Sequence, residues 1–389
     1  MFDRKTRLAR RVLCLDDFEP LARRFLPRPV FGYIAGATER NASLDDNRRV
    51  FDEYGFLPRM LRDVSGRDQG VDLLGRRYAS PFGIAPMGIT SLAGYRADAV
   101  QAGCAREAGI PFILSGSALT SLEEIIALNP DAWFQAYLPA EPERRDALVD
   151  RVSRAGYRTL VVTIDSAVVP NRENNLRNGF RTPLAPDPAL VWQGLTHPRW
   201  LVRTMLRTLA TQGMPHFENN FAERGAALIS RQSVRDFSGR EKLCWEDIAA
   251  IRSRWRGALV LKGICHPEDA RIAREHGSDG LILSNHGGRQ LDGTVSPLRM
   301  LEAVKAVSGP MAVMIDSGFR RGTDIVKALA LGADLAFVGR PFNYASAIGG
   351  AAGVAHAIAL LRAEIRADMG LLGITRLDEL GPQFLLRRA

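Results

Sequence analysis

ALVLKGICHPEDARIAREHGSDGLILSNHGG, residues 258–288, decides the fold. It opens on an apolar run, ALVLK (258–262), and closes on a second, GLILS (280–284). Neither run alternates with polar residues, and a strand buried on both faces requires that continuity. Between them HPEDARIAREHG (266–277) begins at a Pro and ends at a Gly, the start and stop signals of a helix. The same texture extends in both directions. FGIAPM (82–87), PFILS (111–115), AWFQAY (132–137) and TLVVTI (159–164) precede it, and MAVMI (311–315) and DLAFV (334–338) follow. Helical patterns intervene, among them ADAVQAGCAREAG (97–109), SLEEIIAL (121–128), PERRDALVDRVSRAG (142–156) and GTDIVKALALGA (322–333). Eight strands, each followed by a helix, predict an α/β chain folded as a (β/α)8 TIM barrel.

The barrel spans 81–389 on this reading, and residues 1–80 form an N-terminal helical cap. The rhythm breaks once, between Ile164 and Ala258, where the spacing far exceeds the roughly 30 residues of one barrel unit. A long insertion after strand 4, residues 181–243, accounts for the break, and such insertions sit in βα loops on the catalytic face. No GxGxxG follows any strand, which argues against a doubly wound dinucleotide fold.

Composition narrows the function. The 389 residues include 52 Lys plus Arg against 43 Asp plus Glu, a net charge of +9, with 46% apolar residues, so the chain can bury a core. Only Lys5, Lys242, Lys262, Lys305 and Lys327 are lysines; the other basic residues are Arg. No basic run is interleaved with aromatics, so no nucleic-acid partner is expected. Cys14, Cys104, Cys244 and Cys265 lack CxxC or zinc-like spacing. Neither a disulfide framework nor a metal site is expected, and a reducing cytoplasmic setting fits. MFDRKTRLARR carries no apolar stretch behind its basic residues and does not read as a signal peptide. The longest uncharged run, 341–361, is broken by Pro341 and His356 and reads as a packed helix.

The chemistry concentrates at strand ends. SNHGGRQLDG (284–293) directly follows strand 6. His286 can take a proton near neutral pH, Arg289 can grip a carboxylate with two parallel hydrogen bonds, and the glycines let backbone approach a flat ligand. IDSGFRRG (315–322) and FVGRP (337–341) follow strands 7 and 8, where barrels commonly hold phosphate. Gly318 and Gly339 would expose N–H groups there, Arg320 and Arg340 would supply charge, and the helix beginning near Thr323 would point its positive end at the anion. Gln135, Tyr137, Thr163, Asp165 and Lys262 are polar groups at other strand ends, and a buried Lys262 ammonium needs an anionic partner.

These motifs resemble the FMN-dependent 2-hydroxy acid oxidases and dehydrogenases, a family that includes glycolate oxidase, membrane lactate dehydrogenases and (S)-mandelate dehydrogenase. The resemblance runs from Tyr33 to the last helix, and THPRW, GMP and LISRQ look most like the membrane-associated bacterial members. It implies FMN as cofactor and oxidation of an L-2-hydroxy acid, mandelate- or lactate-like, to the 2-keto acid. It also implies His286 as the base, with Asp165 pairing it and raising its pKa. Arg172 and Arg289 would hold the substrate carboxylate, with Tyr33 and Tyr137 as active-site tyrosines. Ala85, Pro86, Met87, Ser115, Gln135, Thr163, Lys262 and Ser284 would contact the flavin. Asp316, Gly318, Arg320, Gly339 and Arg340 would form the ribityl-phosphate site. Proton removal from the α-carbon, or from the hydroxyl with hydride transfer, are both compatible with these residues. The resemblance further implies a homo-tetramer.

Two positions depart from the pattern. Ser117 stands where glycolate oxidase has a Trp, which opens the substrate pocket. Gly88 stands where the oxidases tend to carry Ala, the dehydrogenase-like choice. A dehydrogenase passing electrons to a membrane quinone is therefore expected, with an oxygen-using, peroxide-forming oxidase as the alternative. A non-catalytic flavin-binding membrane adaptor is disfavoured by the intact set of His286, Asp165, Arg289 and Arg172. The related isopentenyl diphosphate isomerase lacks the HGGRQ string.

Within the insertion, residues 188–217 contain no acidic residue. Arg199, Arg203 and Arg207 recur every four residues, while Leu201, Val202, Met205, Leu206 and Leu209 cover another side and Trp200 falls at an edge. This spacing suits a helix lying on an anionic membrane surface, which would make the chain peripheral on the inner face of the cell membrane. It equally suits an amphipathic helix packed on the protein itself.

Overall fold

The computed structural model describes residues 4–181, 188–230 and 239–388. The eight apolar runs form β1 (Phe82–Ile84), β2 (Ile113–Ser115), β3 (Trp133–Ala136), β4 (Thr159–Thr163), β5 (Ala258–Ile264), β6 (Gly280–Leu283), β7 (Ala312–Ile315) and β8 (Leu335–Val338). Consecutive strands from β2 to β8 pair in parallel, and β8 pairs with β1. A bridge between Ile84 and Phe112 joins β1 to β2 and completes the expected barrel.

Burial on both faces explains the unbroken apolar runs. Val161, Val260, Ile282, Met314 and Phe337 fill the barrel interior. Their neighbours Leu160, Val162, Leu259, Leu281, Leu283 and Val338 point outward into the helical layer. That layer comprises α1 (Ala97–Ala108), α2 (Leu122–Leu128), α3 (Pro142–Arg154), α4 (Trp245–Arg254), α5 (Pro267–Glu275), α6 (Pro297–Ser308), α7 (Gly322–Ala330) and α8 (Arg340–Gly349), followed by α9 (Ala351–Leu372). Ser121 caps α2, its hydroxyl accepting from the Glu124 N–H at 3.3 Å. The uncharged 341–361 run splits into α8 and α9 around Gly350 (φ +56). The two helices pack so closely that a Cβ on Gly353 would lie 2.1 Å from the Ala345 carbonyl oxygen. No helix among the described residues is long and apolar enough to cross a membrane.

The cap departs from the expectation of a helical 1–80. Helices Arg4–Arg11, Phe18–Phe25, Arg28–Ala35 and Ala42–Arg49 occupy its first part. Beyond them Tyr54–Phe56 pairs antiparallel with Leu385–Arg387, and Val71–Leu73 forms a hairpin with Arg76–Tyr78. Leu74 and Gly75 both take positive φ, which fits a tight hairpin turn and not a helix. The hairpin plugs the N-terminal end of the barrel. Leu73 and Tyr78 join the interior cluster, and the Trp133 indole donates to the Tyr78 hydroxyl at 3.2 Å.

Of the insertion, 182–187 and 231–238 lie outside the described residues. Helices Pro188–Thr196 and Pro198–Trp200 lead into a π-helical stretch, Leu201–Leu206, and a final turn, Arg207–Gln212. Trp200 is not at an edge. It is buried, and its indole donates to the Leu92 carbonyl at 2.9 Å. Thr204 and Thr208 are buried beside it, and Leu201 and Met205 pack on the core. Val202, Leu206 and Leu209 face outward, as do Val191, Trp192 and Leu195 on the preceding helix. The segment thus packs on the protein by one face and leaves a second apolar row in the open.

Candidate active site

The C-terminal ends of the strands enclose a cavity lined by residues from the cap, from β3, β4, β5 and β8, and from the loops that follow the strands. Ser284, Asn285 and His286 leave β6, and His286 itself has φ +57, followed by Gly287 (+66) and Gly288 (+76). This left-handed run turns the imidazole back over the barrel. Side chains are excluded from the next two positions: a Cβ on Gly287 would lie 2.7 Å from Arg340 Nη1, and one on Gly288 would lie 2.7 Å from the Leu44 nitrogen.

His286 Nδ1 is 2.9 Å from Asp165 Oδ1. A carboxylate only accepts, so Nδ1 carries the hydrogen and neutral His286 keeps its lone pair on Nε2, 3.3 Å from the Tyr137 hydroxyl. Asp165 stands behind the imidazole and does not line the cavity. Burial pushes the His286 pKa below the ordinary imidazole value; Asp165 opposes that push, while Lys262 and Arg172 add to it. The expected rise through pairing is therefore outweighed by desolvation. Burial works to raise the Asp165 pKa, but His286, Lys262 and Ser166 together hold it below the usual carboxylate value. The resting pair is a neutral imidazole on a carboxylate.

Two guanidinium groups border the imidazole. Arg289 donates through Nη1 to the carbonyls of Tyr33 and Gly36, both at 2.7 Å, and lies 4.9 Å from the Tyr33 ring centroid. Arg172 donates to the Arg289 carbonyl at 2.9 Å and to Gln290 Oε1 at 2.7 Å. Gln290, in turn, donates to the Asp165 carbonyl at 2.6 Å and the Ser166 hydroxyl at 3.0 Å. One glutamine thus ties the arginine to the aspartate's loop. Its place in the SNHGGRQLDG run carries no signal of those two partners.

The cavity floor holds Lys262, 4% exposed. Its anionic partner is Asp316, with Nζ to Oδ2 at 2.8 Å, and Nζ also donates to the Ser284 hydroxyl at 2.7 Å. Burial works to lower the Lys262 pKa, but Asp316 and Asp165 more than offset it, and the ammonium stays charged. Ser284 is not a lining residue; it sits behind the floor, its oxygen also accepting from the His286 N–H at 2.9 Å. Ser115 likewise falls behind the wall, donating to Gln135 Oε1 at 3.1 Å and thereby orienting that amide. Gln135 Nε2, Thr163 Oγ1 and Asn343 Oδ1 are buried at the cavity without a hydrogen-bond partner among the described residues. Ala85, Pro86 and Met87 form the adjoining wall with Gly88 and Ser117.

At the far end lie Gly318, Arg320, Gly339 and Arg340. Burial, then the like charges of Arg289 and Arg320, push Arg340 down to about 9. Arg320 is lowered by burial and by Arg48. The start of α7 does not serve an anion as expected. Asp324 takes the Arg320 and Arg321 N–H groups at 2.9 and 3.0 Å, and Glu364 takes that of Gly322 at 2.6 Å. The guanidinium groups therefore carry the positive character of this end.

Residues 22–387 match the model of the FMN-dependent dehydrogenase family. The chain belongs to this family. It is 37% identical to (S)-mandelate dehydrogenase of Pseudomonas putida, over 95% of this chain and 93% of that one. It is 36% identical to an L-lactate oxidase of Nostoc, over 95% and 97%. Among solved structures, that of the monotopic membrane protein (S)-mandelate dehydrogenase matches with a TM-score of 0.88 at 36% identity, covering 97% of this chain and all of that one.

The residues present suit the FMN that this FMN-dependent dehydrogenase requires. Three buried polar atoms without partners surround a cavity, and native interiors leave few such atoms unsatisfied. A flat heteroaromatic ring with donor and acceptor edges answers them. Two buried guanidinium groups that repel one another answer to a phosphate. Lys262 and Gln135 would then hold the ring, and Arg320 and Arg340 the phosphate. A further residue without a sequence signal is Arg240, buried at the end of the insertion with its guanidinium 5.0 Å from the Tyr137 ring centroid.

Proposed function

We propose that the chain oxidises an L-2-hydroxy acid, mandelate- or lactate-like, to the 2-keto acid and passes the electrons to a membrane quinone. The observation that carries this is the His286 lone pair at Nε2, set by Asp165 and facing a cavity bordered by Arg172 and Arg289. FMN, when bound, supplies the two-electron acceptor. Arg172 and Arg289 anchor the carboxylate and fix the hydroxyl-bearing carbon. His286 removes the proton at Nε2, and Asp165 stabilises the imidazolium so formed. Tyr33 and Tyr137 line the same face, and Lys262 holds a buried positive charge beside the ring. Gly88 and Ser117 supply room for a bulky side chain; a Cβ on Gly88 would sit 3.0 Å from that of Ser117 and 3.5 Å from the Tyr33 hydroxyl. Mandelate and lactate dehydrogenases among the relatives support this substrate class. Anaerobic bleaching of the flavin spectrum by a panel of 2-hydroxy acids of both hands tests it. Bleaching by L-acids alone is expected; no bleaching by any member refutes it.

A second acceptor, oxygen, is favoured by the likeness to an L-lactate oxidase. Peroxide formed in aerated buffer at the rate of substrate loss would establish it over the quinone.

Peripheral membrane attachment through 188–212 is part of the same proposal. Its support is the outward row of Val191, Trp192, Leu195, Val202 and Leu206 and the similarity to a monotopic membrane protein. Flotation with anionic liposomes tests it; equal recovery of the full-length protein and a 181–217 deletion in the unbound fraction refutes it.

A further inference from the structure

Away from the active site, a second cleft of about 500 Å³ opens where the insertion meets the cap. Helices Arg4–Arg11 and Phe18–Phe25 form one side, residues 196–203 the other, and the end of α8 the base. Arg11, Arg24, Arg199 and Arg203 all line it, and no carboxylate does among the described residues. None of the four has an ion-pair partner among the described residues, although the adjacent Arg23 pairs with Glu19. Leu21 and Phe25 supply an apolar wall between the charges.

Four like charges around one hollow repel each other, and an anion able to accept several N–H groups relieves them. The apolar wall calls for more than an inorganic anion. The helix that contributes Arg199 and Arg203 also presents Val202, 60% exposed, and Leu206, 49% exposed. Charge and grease thus lie side by side on one element, the arrangement that meets a phosphate with an acyl chain attached. We propose that this cleft seats the headgroup phosphate of an anionic membrane phospholipid, with Arg11 and Arg24 of the cap closing on it from the side opposite Arg199 and Arg203. The inference rests on the membrane attachment proposed above and adds to it a specific headgroup site.

The test is partition of the FMN-loaded, full-length protein onto phosphatidylcholine vesicles with and without phosphatidylglycerol. Arg24→Gln and Arg199→Gln are each expected to weaken partition onto the phosphatidylglycerol vesicles about fivefold. Arg256→Gln, an exposed position just before the N-terminal end of β5, should leave it unchanged. The flavin spectrum and melting temperature should stay at wild-type values in all three. Loss by Arg256→Gln equal to that by Arg24→Gln would reduce the effect to general surface charge and overturn the site. Val202→Glu with Leu206→Glu separates the two ideas: if this pair abolishes partition while Arg24→Gln and Arg199→Gln do not alter it, the attachment stands and the headgroup site falls. If no form partitions, both fall. Glycerol phosphate that raises the melting temperature of wild type but not of Arg24→Gln, with vesicle partition equal in both, would assign the cleft to a soluble phosphate ester and overturn the lipid. An altered elution volume of Arg24→Gln with unaltered partition would assign it to contact between copies.

Discussion

Asp165 reaches His286 from behind, Oδ1 to Nδ1 at 2.9 Å, with burial and the carboxylate pulling the imidazole's proton affinity in opposite directions. Because burial wins, the neutral, base-competent form prevails down to a pH below the ordinary imidazole value. The rate of anaerobic flavin reduction should therefore rise with pH through a limb lying below that value. Asp165→Asn removes the influence that raises the pKa, so the limb moves to still lower pH. Its plateau also falls, since the imidazolium formed in the reaction loses its partner. A pH profile of the reduction rate for both proteins checks the sign; a limb that moves upward in the variant refutes it.

His286→Gln should leave FMN bound and slow flavin reduction by about 10²–10⁴-fold, the usual contribution of a positioned base. Stopped-flow absorbance measures it. A loss of less than about tenfold would remove His286 from that role.

Lys262→Met should damage stability strongly. It strands the Asp316 carboxylate, 2.8 Å away in a buried floor, and breaking one side of a buried pair costs about 3–5 kcal/mol. The double variant Lys262→Met with Asp316→Asn should recover much of the loss. Urea unfolding of the FMN-free proteins gives both numbers.

The crowded guanidinium groups predict an anion effect in the FMN-free protein. Inorganic phosphate should raise the melting temperature of wild type, because it binds the folded state where Arg320 and Arg340 repel one another. In Arg340→Gln the rise should shrink or vanish. An equal rise in both would place the phosphate elsewhere.

Arg240 offers a further test. Its guanidinium, 5.0 Å from the Tyr137 centroid, holds the ring whose hydroxyl faces His286 Nε2. A cation–π contact of this kind contributes about 0.5–2 kcal/mol, so Arg240→Met should lower kcat/KM about twofold to thirtyfold with FMN still bound. Arg240→Lys should restore part of it; failure of the lysine to do better than methionine would count against the contact.

Burial on two faces made the barrel legible, since it writes an uninterrupted apolar run at each strand and all eight runs became strands. His286, Arg289 and Lys262 were legible for a related reason: a polar residue where an apolar strand ends has few places to go but the rim. What stays illegible has a common cause in three dimensions. Ser115 and Ser284 occupy strand ends too, with one hydroxyl turned to Gln135 and the other to Lys262, and no pattern along the chain tells a side chain that lines the cavity from one behind its wall. Arg240 meets Tyr137 across residues distant in sequence. The hairpin at 71–78 is hard to read in the sequence because Leu74-Gly75 is a weak turn signal beside the usual Asn-Gly. Thr323 reads as an anion-binding helix start, but Asp324 and Glu364 take the N–H groups of Arg320, Arg321 and Gly322 just before it.

That hairpin also dictates traffic. With Leu73 and Tyr78 stoppering the lower mouth of the barrel against Trp133, the described residues leave no passage through the middle. Fuel, product and whatever collects the electrons must all come and go by the upper rim, so the enzyme works as a room with a single doorway. Damage to the stopper, such as Trp133→Phe, should then register on a calorimeter while leaving turnover untouched.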